Sequence, residues 1–209
     1  MKIKLNIKKF ASHIAISFFF TAIFVLCFYF FLDEKISKYT SIINVAAVGS
    51  SNITREIKYD FELKKIIEYP SFGSKFANLI IPKIDLNLPI YQGDNLRILS
   101  YGVGHYVGSY FPAEGGSIIL PAHNTAGFFQ RIDELQKNDI IKIETTYGTF
   151  NYKVGNYKVV DEKDLDSFPV QKEKEMLILY TCYPINRSII GRKTKRYVVY
   201  ADKVGEQDE

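Results

Sequence analysis

Hydrophobic and polar positions divide this chain into three textures. From Phe10 to Leu32 there is no Asp, Glu, Lys or Arg, and aromatics crowd the run at Phe18-Phe19-Phe20 and Phe28-Tyr29-Phe30-Phe31. Wound as a helix, such a run reaches roughly 34 Å, enough for a hydrocarbon core of about 30 Å. A cleavable signal peptide is the rival, but its apolar core is normally only about 7–15 residues, with a small-residue cleavage site close behind. Here Asp33-Glu34-Lys35 follows directly, and Ala46-Ala47 lies far downstream. The pattern predicts a membrane anchor over 10–32, with His13 at its interface and Cys27 as apolar filler.

The second texture is a stalk over 33–75. Ile53, Ile57 and Phe61 recur at four-residue steps and Ile66 with Ile67 continues the stripe. Ser51 or Asn52 offers a cap and Pro70 with Gly73 a stop, so the spacing predicts a helix near 53–68. It serves as a spacer from the membrane or as a packing arm.

The third texture is β-like and runs over 76–204, with a short tail at 205–209. Short apolar runs bounded by turn residues occur at 78–82, 86–91, 117–122, 140–145, 149–160, 175–181 and 196–201. Tyr147-Gly148 marks a hairpin tip. Helical signal is confined to 95–100 and 128–135. Seven or eight short strands predict a mostly β fold, a closed or nearly closed barrel, since closure removes exposed edges. Pro82, Pro89 and Pro121 belong at strand ends, edges or bulges.

Composition adds a constraint. The chain has 209 residues, 47% hydrophobic, with a net charge of +4. Lys2, Lys4, Lys8 and Lys9 carry that whole excess, leaving 23 basic against 23 acidic residues elsewhere. The folded part is neutral and predicts no nucleic-acid partner. The lysine-rich segment 1–9 holds its end in the cytoplasm, so everything after Leu32 is expected outside a single-pass span. Cys182 is then the one exported thiol, and it has no cysteine with which to pair. An isolated cysteine is more often a buried small hydrophobe than a nucleophile. Its neighbours must decide.

The run Met176–Cys182 reads as a strand delivering the thiol at its C-terminal end, where Tyr183-Pro184 breaks the ladder. The loop 184–195 returns the chain to Arg196, which opens the last strand. If the two strands are antiparallel neighbours, Cys182 and Arg196 meet across the ladder. His123 ends the apolar run 118–122. If that strand lies beside the Cys182 strand and points the same way, imidazole and thiol share a rim. The three types suit covalent catalysis. Only the thiolate attacks, an imidazolium stabilises it and then protonates a leaving amine, and a guanidinium holds an oxyanion or a substrate carbonyl. On residues alone, this constellation stands about level with a structural thiol.

Leu179-Tyr180-Thr181-Cys182 resembles the Leu-x-Thr-Cys strand end of sortases, and Lys195–Ala201 resembles their final arginine strand. Gly102-Val103-Gly104-His105-Tyr106, Pro112–Ser117 and Pro121-Ala122-His123-Asn124 resemble the same family in order and spacing. The resemblance covers about residues 78–204. It implies an eight-stranded sortase-type barrel without a cofactor. It further implies cleavage of an LPxTG-type sorting signal between Thr and Gly through a thioacyl-enzyme. The acyl group would pass to an amine, commonly on a peptidoglycan precursor, joining a surface protein to the wall of a Gram-positive type of cell. Carried over, Cys182 matches the nucleophile, His123 the acid/base and Arg196 the oxyanion or substrate-orienting residue. Thr181, Asn124 and His105 are candidate substrate contacts, His105 as a supporting rather than catalytic histidine. Arg187 and Arg192 compete with Arg196 from the loop, but Arg196 enters a strand.

Tyr183-Pro184 and the Gly-Val-Gly-His-Tyr stretch look most like class D sortases, although Ile178 stands where that class often has Thr. Pilin-polymerising sortases, the alternative, commonly carry an Asp-Pro-aromatic lid. This chain contains no Asp-Pro, so a solvent-open site and wall anchoring are expected. Asp161, Glu162, Asp164 and Asp166 read as a solvated acidic loop rather than a cation site, because a hard cation needs oxygens from more than one segment. Among other rivals, an L,D-transpeptidase resembles Ser-x-Gly-Cys patterns absent here, and a papain-like hydrolase places its cysteine before its histidine. A membrane-anchored binding module with an inert thiol is the non-enzymatic reading.

Overall fold

The computed structural model describes residues 16–29, 57–63, 65–185 and 193–205. The chain divides into two compact units, Met1–Thr40 and Ser41–Glu209. In the first, residues 16–29 form a helix, α1. The remainder of the expected 10–32 span lies outside the described residues. Among the described residues, no helix is long and apolar enough to cross a membrane.

Among its described residues the second unit has ten strands: β1 (Lys58–Asp60), β2 (Lys65–Glu68), β3 (Lys75–Ile81), β4 (Leu86–Gln92), β5 (Val103–His105), β6 (Ser117–Pro121), β7 (Ile140–Thr145), β8 (Gly148–Asp161), β9 (Met176–Tyr183) and β10 (Lys195–Lys203). β1 and β2 pair with each other, and the other eight form one sheet in the order β5-β4-β3-β7-β8-β10-β9-β6. Its two end strands are brought together where Tyr106 N–H donates to Ile119 O at 2.9 Å and Tyr110 N–H to Ser117 O at 2.9 Å. The sheet is thus a nearly closed barrel with few exposed edges. Pairing is antiparallel except for β4 with β5 and β6 with β9.

Alternation fills the interior. Leu79 and Ile81, Leu88 and Ile90, Ile118 and Leu120, Ile141 and Ile143, Tyr152 and Val154, Leu177 and Leu179, and Val199 and Ala201 belong to a single buried cluster. These are every second residue of their strands, as a period of two requires. On the opposite face of β6, β8, β9 and β10, a smaller cluster joins Ile119, Val160, Ile178 and Val198, packed by Phe168, Met176, Tyr180 and Tyr200. Central strand β9 therefore reads as a continuous apolar run, because both its faces are covered. The hairpin tip predicted at Tyr147-Gly148 joins β7 to β8, with Thr145 opposite Gly148. The helix α2 (Leu96–Leu99) is capped by Asn95, whose side chain accepts from Ile98 N–H. Residues Phe129–Glu134 form 3-10 turns. Pro82 opens another such turn, and Pro89 precedes the first rung of β4–β5 pairing, at Ile90–Val103.

The helix expected near 53–68 is corrected. Its described part is the β1–β2 hairpin, with Tyr59 opposite Ile66 and Asp60 opposite Lys65. Asp60 Oδ1 accepts from the N–H groups of Glu62 and Leu63, each at 2.9 Å, a local turn that competes with helical bonding. Ile57 and Ile66 join the barrel core while Phe61 is 70% exposed. Tyr59 stacks on Tyr147 with centroids 4.8 Å apart. The four-residue stripe thus combines inward and outward residues, and from Ile57 onward the stalk segment packs on the barrel. Ile53 lies outside the described residues.

Candidate active site

Backbone register assembles the site. Arg196 stands directly opposite Cys182 across the antiparallel β9–β10 ladder. On the other side of β9, parallel β6 pairs Ile119 with Ile178 and Pro121 with Tyr180. Ala122 N–H then donates to Tyr180 O at 3.2 Å. His123 follows beyond β6 as Cys182 follows Tyr180 along β9. The three residue types therefore reach one rim from three adjacent strands. Cys182 shares its strand face with Tyr180 and Ile178, so the thiol opens onto the outer apolar cluster rather than the barrel interior.

Side chains lock this rim. Thr181 Oγ1 donates to Ala122 O at 2.8 Å. Asn124 Nδ2 donates to Cys182 O at 3.0 Å and to Pro184 O at 3.2 Å. Phe129 N–H donates to His123 O at 2.9 Å, fixing the histidine backbone from the far side. Of the candidate substrate contacts, Thr181 and His105 are buried, whereas Asn124 is partly exposed at the rim. Thr181 points inward and is buried, because alternation turns it away from the Cys182 face. Asn124 spends its Nδ2 donors on the carbonyls of Cys182 and Pro184.

His105 is 0% exposed. It stacks on Phe111 at 4.3 Å and meets the edge of Phe76 at 5.5 Å. Its Nε2 lies 3.0 Å from Tyr110 O, which it can reach only as a donor, while Nδ1 is buried without a partner. Burial lowers its pKa to about 4, so it is a neutral packing residue. Its motif has a steric reason: a side chain on Gly104 would meet Gly93 O at 2.7 Å, and one on Gly102 would strike Pro89 O. Only glycine lets this segment lie so close to its neighbours.

His123 differs from His105. It is partly exposed, with the Phe128 ring edge-on at 6.1 Å, and burial alone pushes its pKa below the ordinary imidazole value. It rests neutral. Cys182 is free and partly exposed. Burial and the Asp94 carboxylate push the Tyr180 hydroxyl up to about 12, which leaves a neutral phenol on the outer face, edge-on to Phe168 at 4.9 Å. Arg187 and Arg192 lie outside the described residues.

The acidic loop after β8 holds a contact that sequence reasoning missed. Arg196 Nη2 donates to Glu162 Oε2 at 2.8 Å, and the two side chains are only 20% and 11% exposed. Glu162 had been grouped with a solvated cluster; the register of β8 against β10, which sets Val160 opposite Arg196, brings it here instead. Asp164 accepts from Ser167 Oγ at 2.8 Å and Asp161 Oδ1 from Lys163 N–H at 3.0 Å. Among the described residues, no group of three or more His, Cys, Asp or Glu side chains is arranged to hold a metal ion.

A barrel whose adjacent strand ends carry Cys, His and Arg is the architecture of a cysteine transpeptidase. Residues 79–204 match the Sortase domain family. The chain is 40% identical to Sortase D of Bacillus subtilis (strain 168) over 158 residues, 76% of each protein. Among solved structures it resembles a Clostridium perfringens Sortase D5 transpeptidase, with 28% identity, a TM-score of 0.57, and coverage of 65% of this chain and 82% of that one. Sortase C from Clostridium perfringens SM101 is similar at 28% identity and a TM-score of 0.57, covering 79% and 88%. The chain belongs to the sortase family.

Proposed function

We propose that this sortase cleaves an LPxTG-type sorting signal between Thr and Gly and transfers the acyl fragment to a cell-wall amine. The observation that carries the proposal is the shared rung of Cys182 and Arg196, with His123 at the end of the parallel neighbour. In the first half-reaction, His123 takes the thiol proton and the Cys182 sulfur bonds to the Thr carbonyl carbon, placing negative charge on its oxygen. Arg196 donates hydrogen bonds to that oxyanion. Collapse breaks the Thr–Gly C–N bond, and His123 returns the proton to the departing glycine nitrogen. Burial disfavours the imidazolium, which makes His123 a stronger acid once protonated, as a poor leaving group requires. In the second half-reaction an amine attacks the thioester carbon and gives its proton to His123. The C–S bond breaks, an amide forms and the cysteine is regenerated.

On the outer face Ile178 and Val198 are already covered, so it is the partly exposed Tyr180, two residues from Cys182 on the same face, that supports contact with a hydrophobic residue of the substrate. For location, the proposal retains a single membrane span over 10–32, with segment 1–9 cytoplasmic and the catalytic domain outside. The charge-free run with four lysines before it supports this, and the helix at 16–29 lies within the run. Surface proteins bearing the signal and a peptidoglycan-precursor amine are the partners.

The purified protein incubated with a quenched LPxTG-type peptide, with and without an amine acceptor, tests the reading. It predicts cleavage after Thr and an acceptor-dependent conjugate, both lost in Cys182→Ala. Cleavage that survives this substitution, or no turnover across a broad library of sorting-signal peptides, refutes it.

A further inference from the structure

We infer that Glu162 is a positioning residue for Arg196, fixing the guanidinium so that two of its donors stay directed to substrate; this rests on the transpeptidase reading above. Arg196 is held at three points. Nη1 donates to Lys193 O at 2.8 Å and to Lys195 O at 3.0 Å, and Nη2 donates to Glu162 Oε2 at 2.8 Å. A guanidinium has five N–H donors in a rigid planar fork. With three committed, the Nε–H and one Nη2–H remain for an oxyanion or a carbonyl.

The two carbonyls belong to the start of β10 and the residues just before it, so they restrain the guanidinium from its own strand's side. Glu162 is the first residue after β8 and is itself anchored, its N–H donating to Thr194 O at 2.7 Å. It therefore sits one strand away from β10, on the side opposite Cys182. The carboxylate pulls one end of the fork toward β8 and sets the plane of the other donors. Little solvent screens the pair, since the side chains are only 20% and 11% exposed. A long arginine side chain otherwise samples many rotamers, and ordering it in advance is what oxyanion stabilisation requires.

The test is a double-mutant cycle on the purified protein, with peptide turnover and single-turnover thioester formation as readouts. Glu162→Ala is expected to lower kcat by about tenfold while KM changes by less than about twofold, because the lost interaction acts in the transition state. Glu162→Gln keeps an acceptor for Nη2 and is expected to recover part of the loss, which a merely structural defect would not do. In an Arg196→Ala background, Glu162→Ala should change kcat by less than about twofold. Wild-type kcat in Glu162→Ala, no recovery with Gln, or a loss that persists without Arg196 overturns this inference alone. Absence of any Cys182-dependent turnover in the unsubstituted protein overturns it together with the transpeptidase reading.

Discussion

Cys182 and Arg196 occupy one rung of the β9–β10 ladder, so main-chain pairing starts both side chains from directly opposed positions of one sheet face. His123 is delivered from the other side of β9 by a parallel strand, and two side-chain bonds, Thr181 to Ala122 and Asn124 to Cys182, tie the strand ends together.

The planar fork of Arg196 should matter as much as its charge. Arg196→Lys keeps the charge but loses the paired donors. Both it and Arg196→Ala are expected to lower kcat/KM by roughly 10²–10³, with Lys recovering little over Ala. Steady-state kinetics with a sorting-signal peptide measures this.

His105 should make stability fall in mild acid. Its pKa is about 4 in the folded protein, against about 6.5 when unfolded. Above pH 6.5 neither state is protonated and His105 contributes no pH dependence. As pH falls from 6.5 toward 4 the unfolded chain binds a proton that the folded chain refuses, so stability declines by about 3 kcal/mol and then levels off. Urea titrations at stepped pH should show this slope, and His105→Gln, which retains an N–H donor for Tyr110 O, should lack that share of it.

Thr181 should behave as a clasp rather than a substrate contact. Thr181→Val preserves shape but leaves Ala122 O without its hydroxyl donor, and is expected to cost about 1–3 kcal/mol. Urea denaturation gives that value, and KM for peptide should change little.

Much of the fold was legible because it depends on alternation. The strand runs at 117–122, 140–145 and 175–181, the Tyr147-Gly148 turn and the short helix within 95–100 all follow from local pattern. So did the meeting of Cys182 with Arg196, given antiparallel neighbours. What escaped depended on pairing between distant segments. The stripe Ile57, Phe61, Ile66 fitted a helix as well as a hairpin, and only the Asp60 turn with the barrel surface under Ile57 and Ile66 decides between them. Glu162 resembled its acidic neighbours until the β8–β10 register set it beside Arg196. The family resemblance already set His105 apart from His123, but its packing among Phe76 and Phe111 depends on segments distant in sequence.

The hairpin carries its own expectation. Ile66 is 6% exposed within the core cluster, so Ile66→Ala should destabilise the protein by about 2–5 kcal/mol. A spacer arm independent of the barrel would lose almost nothing on thermal or urea unfolding.

The central claim is that Cys182 forms a thioester with a sorting signal, and intact-protein mass spectrometry after brief exposure to an LPxTG-type peptide tests it most directly. The expected spectrum shows the protein plus the acyl fragment ending at Thr, mapped to Cys182, discharged by an added amine and absent in His123→Ala. An unmodified Cys182 across a library of such peptides, or an adduct that persists in Cys182→Ala, would contradict it.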